Sequence, residues 1–245
     1  MFRAVLFDIG DTLWHSRNAP PADEFRRMAA ERVEVWLRER GHRCVEPAKL
    51  ARVAWDAMEA AMRIARTTDL LEPDYGVVAR EAARTLGLDL EADAAADLLE
   101  AAYVSGVEGG KAPFPDARDV LLELRRRGFL LGAVTNRAFG GERFRADLRD
   151  AGLDIGWDAE SVSVEVGYLK PHPAIFEHAL STLAVAAHET VMVGNSLTED
   201  VAGAQRLGMA TAWRRCAPDA EGVAPDFSFD ELTDLLEMPG LEAAP

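Results

Sequence analysis

The sequence predicts an α/β protein: a doubly wound parallel sheet that carries an inserted all-helical domain. Two observations lead there. Short unbroken apolar runs each stop at polar or turn-forming residues, and amphipathic helical segments alternate with them. A third is that the alternation lapses from His15 to Lys111, where helical patterns recur without a convincing strand.

Taken in order, Ala4-Val5-Leu6-Phe7 is apolar throughout and ends at Asp8, as suits a strand covered on both faces. Phe129 to Val134 ends at Thr135-Asn136, Ser161 to Val166 alternates before Gly167, and Thr190 to Val193 ends at Gly194-Asn195-Ser196. Ala210 to Trp213 and Phe227 to Phe229 read as two later strands. Helical segments at 116–127, 142–151, 173–183 and 200–207 separate these runs. Within the insertion, Phe25, Met28, Ala29, Val33, Trp36 and Leu37 keep the three-to-four spacing of an amphipathic helix, as do Leu50, Val53, Ala54, Ala57, Met58, Ala61 and Met62. Residues 73–86 and 92–103 supply two more helices. Asn18-Ala19-Pro20-Pro21 leads out and Gly106-Val107-Glu108-Gly109-Gly110 returns, so the expected division is 1–14 with 112–245 as the sheet domain and 15–111 as a helical cap.

The 245 residues allow two domains, and 49% hydrophobic with 28% charged residues is the balance of a folded core. A net charge of -15 argues against nucleic acid as a general partner. It does not argue against a phosphorylated small molecule, since a divalent cation can reverse the field inside one cleft. Cys44 and Cys216 are too few for a disulfide framework and read as buried or idle thiols. The N-terminus lacks the long apolar region of a secretion signal and no run reaches membrane-spanning length, so the chain reads as cytoplasmic. A homodimer is compatible with the sequence, but no feature calls for one.

Candidate chemistry gathers where ligands bind in such sheets, at the carboxyl ends of strands. Asp8-Ile9-Gly10-Asp11-Thr12-Leu13 holds a carboxylate at a tight turn, where it can be a metal ligand, a nucleophile or a turn cap. Asp200 is a second carboxylate, either a helix-start residue favoured by the macrodipole or, with Asp8, the oxygen pair that Mg2+ takes. Lys170, just before a helix opened by Pro173, suits a phosphate, although a single lysine is commonly solvated surface. Thr135 and Asn136 offer a hydroxyl and an amide to phosphoryl oxygens, or simply a turn. Trp14 and His15 follow the first turn closely enough to overlook a cleft. The other histidines show no metal spacing, and Arg125 to Arg127 and Arg143 to Arg145 read as solvated helix faces.

Together, VLFDIGDTLW, LLGAVTN, GYLKPHPAIFEHAL and VMVGNSLTEDVAGAQRLGM resemble, in this order, the four motifs of the haloacid dehalogenase superfamily, over nearly the whole chain. The resemblance implies a Rossmann-like core, a C1-type helical cap and a hydrolase of the phosphatase kind. It implies that Asp8 attacks phosphorus to form an aspartyl-phosphate, that Thr135 and Lys170 hold the transferring group, and that Mg2+ sits on Asp8, the Gly10 carbonyl and Asp200, with Asn195 behind them.

Two residues depart from that pattern. Gly10 stands where the family's phosphatases usually carry the general acid, with Asp11 where a glycine is usual, and Asn195 stands where many relatives have Asp. Loss of general acid-base help, typically about two to four powers of ten, favours substrates with good leaving groups. Asp11 or a cap residue would have to replace it. The alternatives are a 2-haloacid dehalogenase, opposed by the acidic fourth motif and the lack of an aromatic residue at position 10, and a phosphate-binding regulatory protein with little turnover.

Overall fold

The computed structural model describes residues 1–215 and 222–243. The chain divides into two compact units, Met1–Asn18 with Lys111–Pro245, and Ala19–Gly110.

The first unit is built on a six-stranded parallel sheet, with order β5-β4-β1-β6-β7-β8, formed by β1 (Ala4–Phe7), β4 (Leu130–Thr135), β5 (Ala159–Val162), β6 (Thr190–Gly194), β7 (Ala210–Arg214) and β8 (Phe227–Phe229). The chain reverses direction of winding at β1, so the fold is the doubly wound, Rossmann-like one. Alternation within β1 sends Val5 and Phe7 to one face and Ala4 and Leu6 to the other, and all four are fully buried. One face packs on α5 (Ala117–Arg126) and α6 (Gly141–Asp150) through Val120, Leu124 and Phe144. The other packs on α8 (Pro173–Leu183) through Ile175, Phe176 and Ala179. Burying a side chain such as Phe7 is worth about 1.5–3 kcal/mol, which explains why unbroken apolar runs mark these strands.

A two-residue ribbon, β2 (Trp14–His15) antiparallel to β3 (Ala112–Pro113), belongs to this unit as well. It ties the chain leaving the first turn to the chain returning from the insertion, so residues 15–18 and Lys111 fall with the sheet.

The second unit contains α1 (Ala22–Glu39), α2 (Pro47–Thr67), α3 (Tyr75–Arg84) and α4 (Ala92–Ala102). Here α1 packs on α2 and α4, and α3 on α2 and α4, around Val33, Leu37, Leu50, Ala83 and Leu98. Glu46 caps α2 by accepting from Lys49 N at 3.1 Å, and Asp74 caps α3 by accepting from Val77 N at 3.0 Å.

Two local expectations change. The run at 161–166 is a strand only as far as Val162; Ser163–Val166 forms one helical turn, α7, closed by Gly167 at φ 87°. The cause is pairing: β5 is an edge strand whose partner β4 ends at Thr135, opposite Val162, so nothing remains for an extended chain to bond beyond it. Arg127 is not solvated, because its guanidinium donates to the carbonyls of Leu236 (3.0 Å) and Leu241 (2.8 Å) and closes the C-terminal segment onto the core. Cys44 is a free, exposed thiol, and Cys216 lies outside the described residues. No helix among the described residues is long and apolar enough to cross a membrane.

Candidate active site

Asp8 emerges from the middle of the sheet, its backbone N–H donating to Val193 O at 2.9 Å. The next five residues turn sharply over the Ile9 carbonyl, which accepts from Leu13 N (3.0 Å) and Trp14 N (3.2 Å), and Asp11 takes a left-handed φ of 55°. Buried Arg214, at the end of β7, braces this turn by donating to Thr12 O at 3.0 Å. Thr12 in turn donates its hydroxyl to Asp8 Oδ2 at 3.0 Å.

Lys170 is 2% exposed, and its ammonium makes three bonds: to Asp8 Oδ1 at 2.6 Å, Asp200 Oδ1 at 2.7 Å and Val134 O at 2.9 Å. Burial opposes the lysine's charge, but the carboxylates of Asp200 and Asp8 outweigh it and hold its pKa above the ordinary value. Two carboxylates share this single cation. Burial therefore pushes Asp200 up to about 6, with Lys170 pulling it down and Asp8 pushing it further up.

Asp200 reaches this position because Gly194 leaves room for it. A Cβ on Gly194 would lie 2.2 Å from Asp200 Oδ2. That oxygen accepts instead from Ser196 N at 2.9 Å, at the start of a π-type turn, Leu197–Val201. Asn195 lies beside it. The orientation of its amide that pairs donor with acceptor turns Nδ2 to the Gly10 carbonyl at 3.1 Å and to Asp8 Oδ2 at 3.3 Å.

That contact tests the fit for a divalent cation. Among the described residues no three His, Cys, Asp or Glu side chains form a metal cage. The expected set needs only two carboxylates and a carbonyl. The Gly10 carbonyl and Asp8 Oδ2 converge closely enough to share one electropositive group, and Asp200, repelled by Asp8 in a buried site, is the carboxylate a cation would relieve. The residues fit Mg2+.

The remaining expected residues divide. Thr135 is 4% exposed at the end of β4, and no hydrogen bond engages its hydroxyl among the described residues. Asn136 does different work from that expected of it. Its Oδ1 accepts from Lys170 N at 2.7 Å, while Nδ2 donates to Lys170 O at 3.3 Å and Glu199 Oε2 at 3.2 Å. Its amide is thus spent on the lysine's backbone and on Glu199. Gly10 is exposed, and apart from its chain neighbours no atom of the described residues lies within 4 Å of where a Cβ would stand. Asp11 is exposed on an anchored backbone. Trp14, only 2% exposed, is a core residue rather than an overlooking one, and His15 packs edge-on against Phe114.

Sequence reading missed Glu199 and Arg214. The only trace of Arg214 is a charged residue at the end of an apolar strand, and its bonds run to residues some two hundred positions earlier.

This architecture has known counterparts. The family model for haloacid dehalogenase-like hydrolases matches residues 2–208. The chain is 29% identical to the glyceraldehyde 3-phosphate phosphatase of Methanopyrus kandleri, over 97% of each chain. It is 33% identical to the phosphoserine phosphatase of Thermus thermophilus, over 95% of this chain and 90% of that one. Among solved structures, a 2-haloacid dehalogenase from Pseudomonas syringae superposes with a TM-score of 0.68 at 27% identity, with 97% of both chains covered. A HAD phosphatase from Thermococcus onnurineus shares the fold, with a TM-score of 0.62 over the full length of both. With the family model spanning most of its length and these strand-end residues in place, the chain belongs to the haloacid dehalogenase-like hydrolases.

Proposed function

We propose that this protein is a Mg2+-dependent phosphatase of a small phosphorylated metabolite, working through an aspartyl-phosphate at Asp8. The observation that carries the reading is the buried Lys170 ammonium, held 2.6 Å from Asp8 and 2.7 Å from Asp200 at the ends of adjacent strands. Folding alone has no use for two carboxylates around one buried cation, because the desolvation of such a group offsets much of its attraction. The named relatives that cover the chain act on phosphate esters, glyceraldehyde 3-phosphate in one case and phosphoserine in the other.

In this reading an Asp8 oxygen forms a bond to phosphorus as the ester P–O bond breaks, and the electron pair leaves with the alkoxide or carboxylate of the substrate. Water then attacks the aspartyl-phosphate, releasing inorganic phosphate and restoring Asp8. Thr12 and Lys170 fix the two Asp8 oxygens in direction before attack. Thr135 donates to a transferring phosphoryl oxygen, while Lys170, whose three N–H groups go to Asp8, Asp200 and Val134, holds the attacking carboxylate and adds positive charge beside the phosphoryl group, and Asn136 keeps it in place. Mg2+, held by Asp8, the Gly10 carbonyl and Asp200, would neutralise the negative charge gathered there. Since Gly10 supplies no proton, leaving groups that depart as stable anions are favoured. We read the helical unit as the cap domain. A net charge of -15 suits a small-molecule substrate better than nucleic acid, and we place the protein in the cytoplasm.

The test is phosphate release with Mg2+ from acyl, aryl and alkyl phosphates, for the wild type beside Asp8→Asn. Release by the wild type that Asp8→Asn abolishes supports the reading; equal release by both would sink it. The superposition on a 2-haloacid dehalogenase favours a second reading, in which Asp8 displaces halide from carbon. Chloride release from 2-chloropropionate without metal would establish that one instead.

A further inference from the structure

Beside the residues assigned above lies a group of side chains that the reaction as written does not use. The ammonium of Lys111 stands 4.9 Å from the centre of the Trp14 ring, and the Arg137 guanidinium 5.5 Å from the same centre. Trp14 is tied to the first turn by its backbone, which donates to Ile9 O at 3.2 Å and bridges Gly10. Arg137 is two residues beyond Thr135, just past the end of β4. Both cations therefore lie against one aromatic ring, whose backbone is fastened to the turn that carries Asp8.

Their partners are incomplete. Arg137 Nη2 pairs with buried Asp147, but Nη1 is buried without a hydrogen-bond partner. No hydrogen bond or ion pair engages the Lys111 ammonium among the described residues. A buried guanidinium nitrogen left unpaired costs free energy unless something else meets it. Burial also lowers the Lys111 pKa, with Arg137 adding to the effect and the carboxylates of Asp147, Asp11 and Asp8 opposing it. Asp8 and Asp11 are thus within electrostatic reach.

Resting on the phosphatase reading, we propose that Lys111 and Arg137, gathered over Trp14, form a subsite for a carboxylate carried on the leaving group of the substrate. Asp147 pairs with Arg137, and the carboxylates of Asp11 and Asp8 act on Lys111, so the net positive charge of the group is small and matches a monoanionic carboxylate better than a dianionic second phosphate. Two donors of different residues, Lys111 Nζ and Arg137 Nη1, suit its two oxygens. Gly10, where a Cβ would meet nothing within 4 Å, adds no side chain beside the Asp8 turn. The substrate class is a phosphorylated carboxylic acid.

The test is calorimetric binding to the full chain of two non-hydrolysable ligands, 3-phosphonopropionate and propylphosphonate, which differ in a carboxylate replacing a methyl. The wild type should bind the carboxylate about tenfold or more tightly, a difference expected of a charge-assisted contact. Lys111→Met, which keeps the apolar stem on Trp14, should remove most of that preference, and Lys111→Arg should restore it. No wild-type preference, no binding of either ligand, or a preference untouched in Lys111→Met overturns the subsite. Because neither ligand turns over, absence of phosphatase activity in a protein that still shows the preference would count against the catalytic reading alone.

Discussion

Substituting Gly10→Asp should turn a slow alkyl phosphatase into a faster one. A Cβ at this position meets nothing within 4 Å, and Gly10 is not among the glycines with a left-handed backbone, so an aspartate enters without strain. Two residues along a chain span about 6 Å, and two carboxylates that far apart at an effective dielectric of about 20 repel by about 3 kcal/mol. Lys170 cancels part of this. What remains raises the new carboxyl above its ordinary value, toward the range that a general acid needs. We expect kcat/KM for an alkyl phosphate to rise by about a hundredfold, the lower end of what acid-base help supplies. For p-nitrophenyl phosphate, whose leaving group needs no proton, it should move by less than about threefold. The assay is steady-state phosphate release with saturating Mg2+ from both esters, for wild type and variant. An unchanged alkyl rate in a folded Gly10→Asp protein would refute the assignment of the missing acid to this position.

Lys170→Met leaves Asp8 and Asp200 buried without their cation, a loss of about 3–5 kcal/mol in such settings. The sign with pH follows from Asp200, whose folded pKa already stands raised at about 6: the folded state binds protons that the unfolded state does not, so stability falls as pH rises through that range. Urea midpoints should therefore drop further at pH 8 than at pH 5, and equal losses would contradict the account. Gly194→Ala forces a Cβ to within 2.2 Å of Asp200 Oδ2 and must push that carboxylate away from Lys170. Phosphatase turnover should fall about a hundredfold and stability by about 1–3 kcal/mol, whereas wild-type turnover would show that Asp200 is not needed. Mg2+ affinity measured by calorimetry should weaken as pH falls through about 6, because a proton on Asp200 competes with the metal; constancy from pH 5 to 7 would remove Asp200 from the binding set.

The strands were readable because each is buried on both faces, which forces an unbroken apolar run such as Ala4 to Phe7 and leaves the first polar residue at the strand end. Asp8 and Thr135 stand at strand ends for that reason, whereas Asp200 and Lys170 are marked by the helix starts beside which they lie. The misreadings have one physical cause, long-range partnership. Residues 163–166 alternate like a strand, yet β4 has already ended opposite Val162. Asn136 looks like a phosphate donor until its amide is seen bonded to Lys170 on both sides. Arg214, Lys111 and Arg137 carry no local pattern at all; their meaning lies in which turn, ring or carbonyl they meet after folding.

The central position of β1 carries a consequence for how the chain acquires its structure. Ala4 pairs with Leu130 on one side and Thr190 on the other, so β1 is synthesised well before either of its neighbours. The helices of residues 19–110, whose contacts are local, can assemble in the interval. Closure of so long a loop precedes any gain from pairing β1, and topologies of this kind fold slowly. Until residues near 190 emerge, Val5, Leu6 and Phe7 form an apolar segment with open hydrogen-bonding edges on both sides. The strand that presents Asp8 is therefore also the point at which a nascent chain is most open to mispairing, and the site is completed only when its last carboxylate, Asp200, has been made.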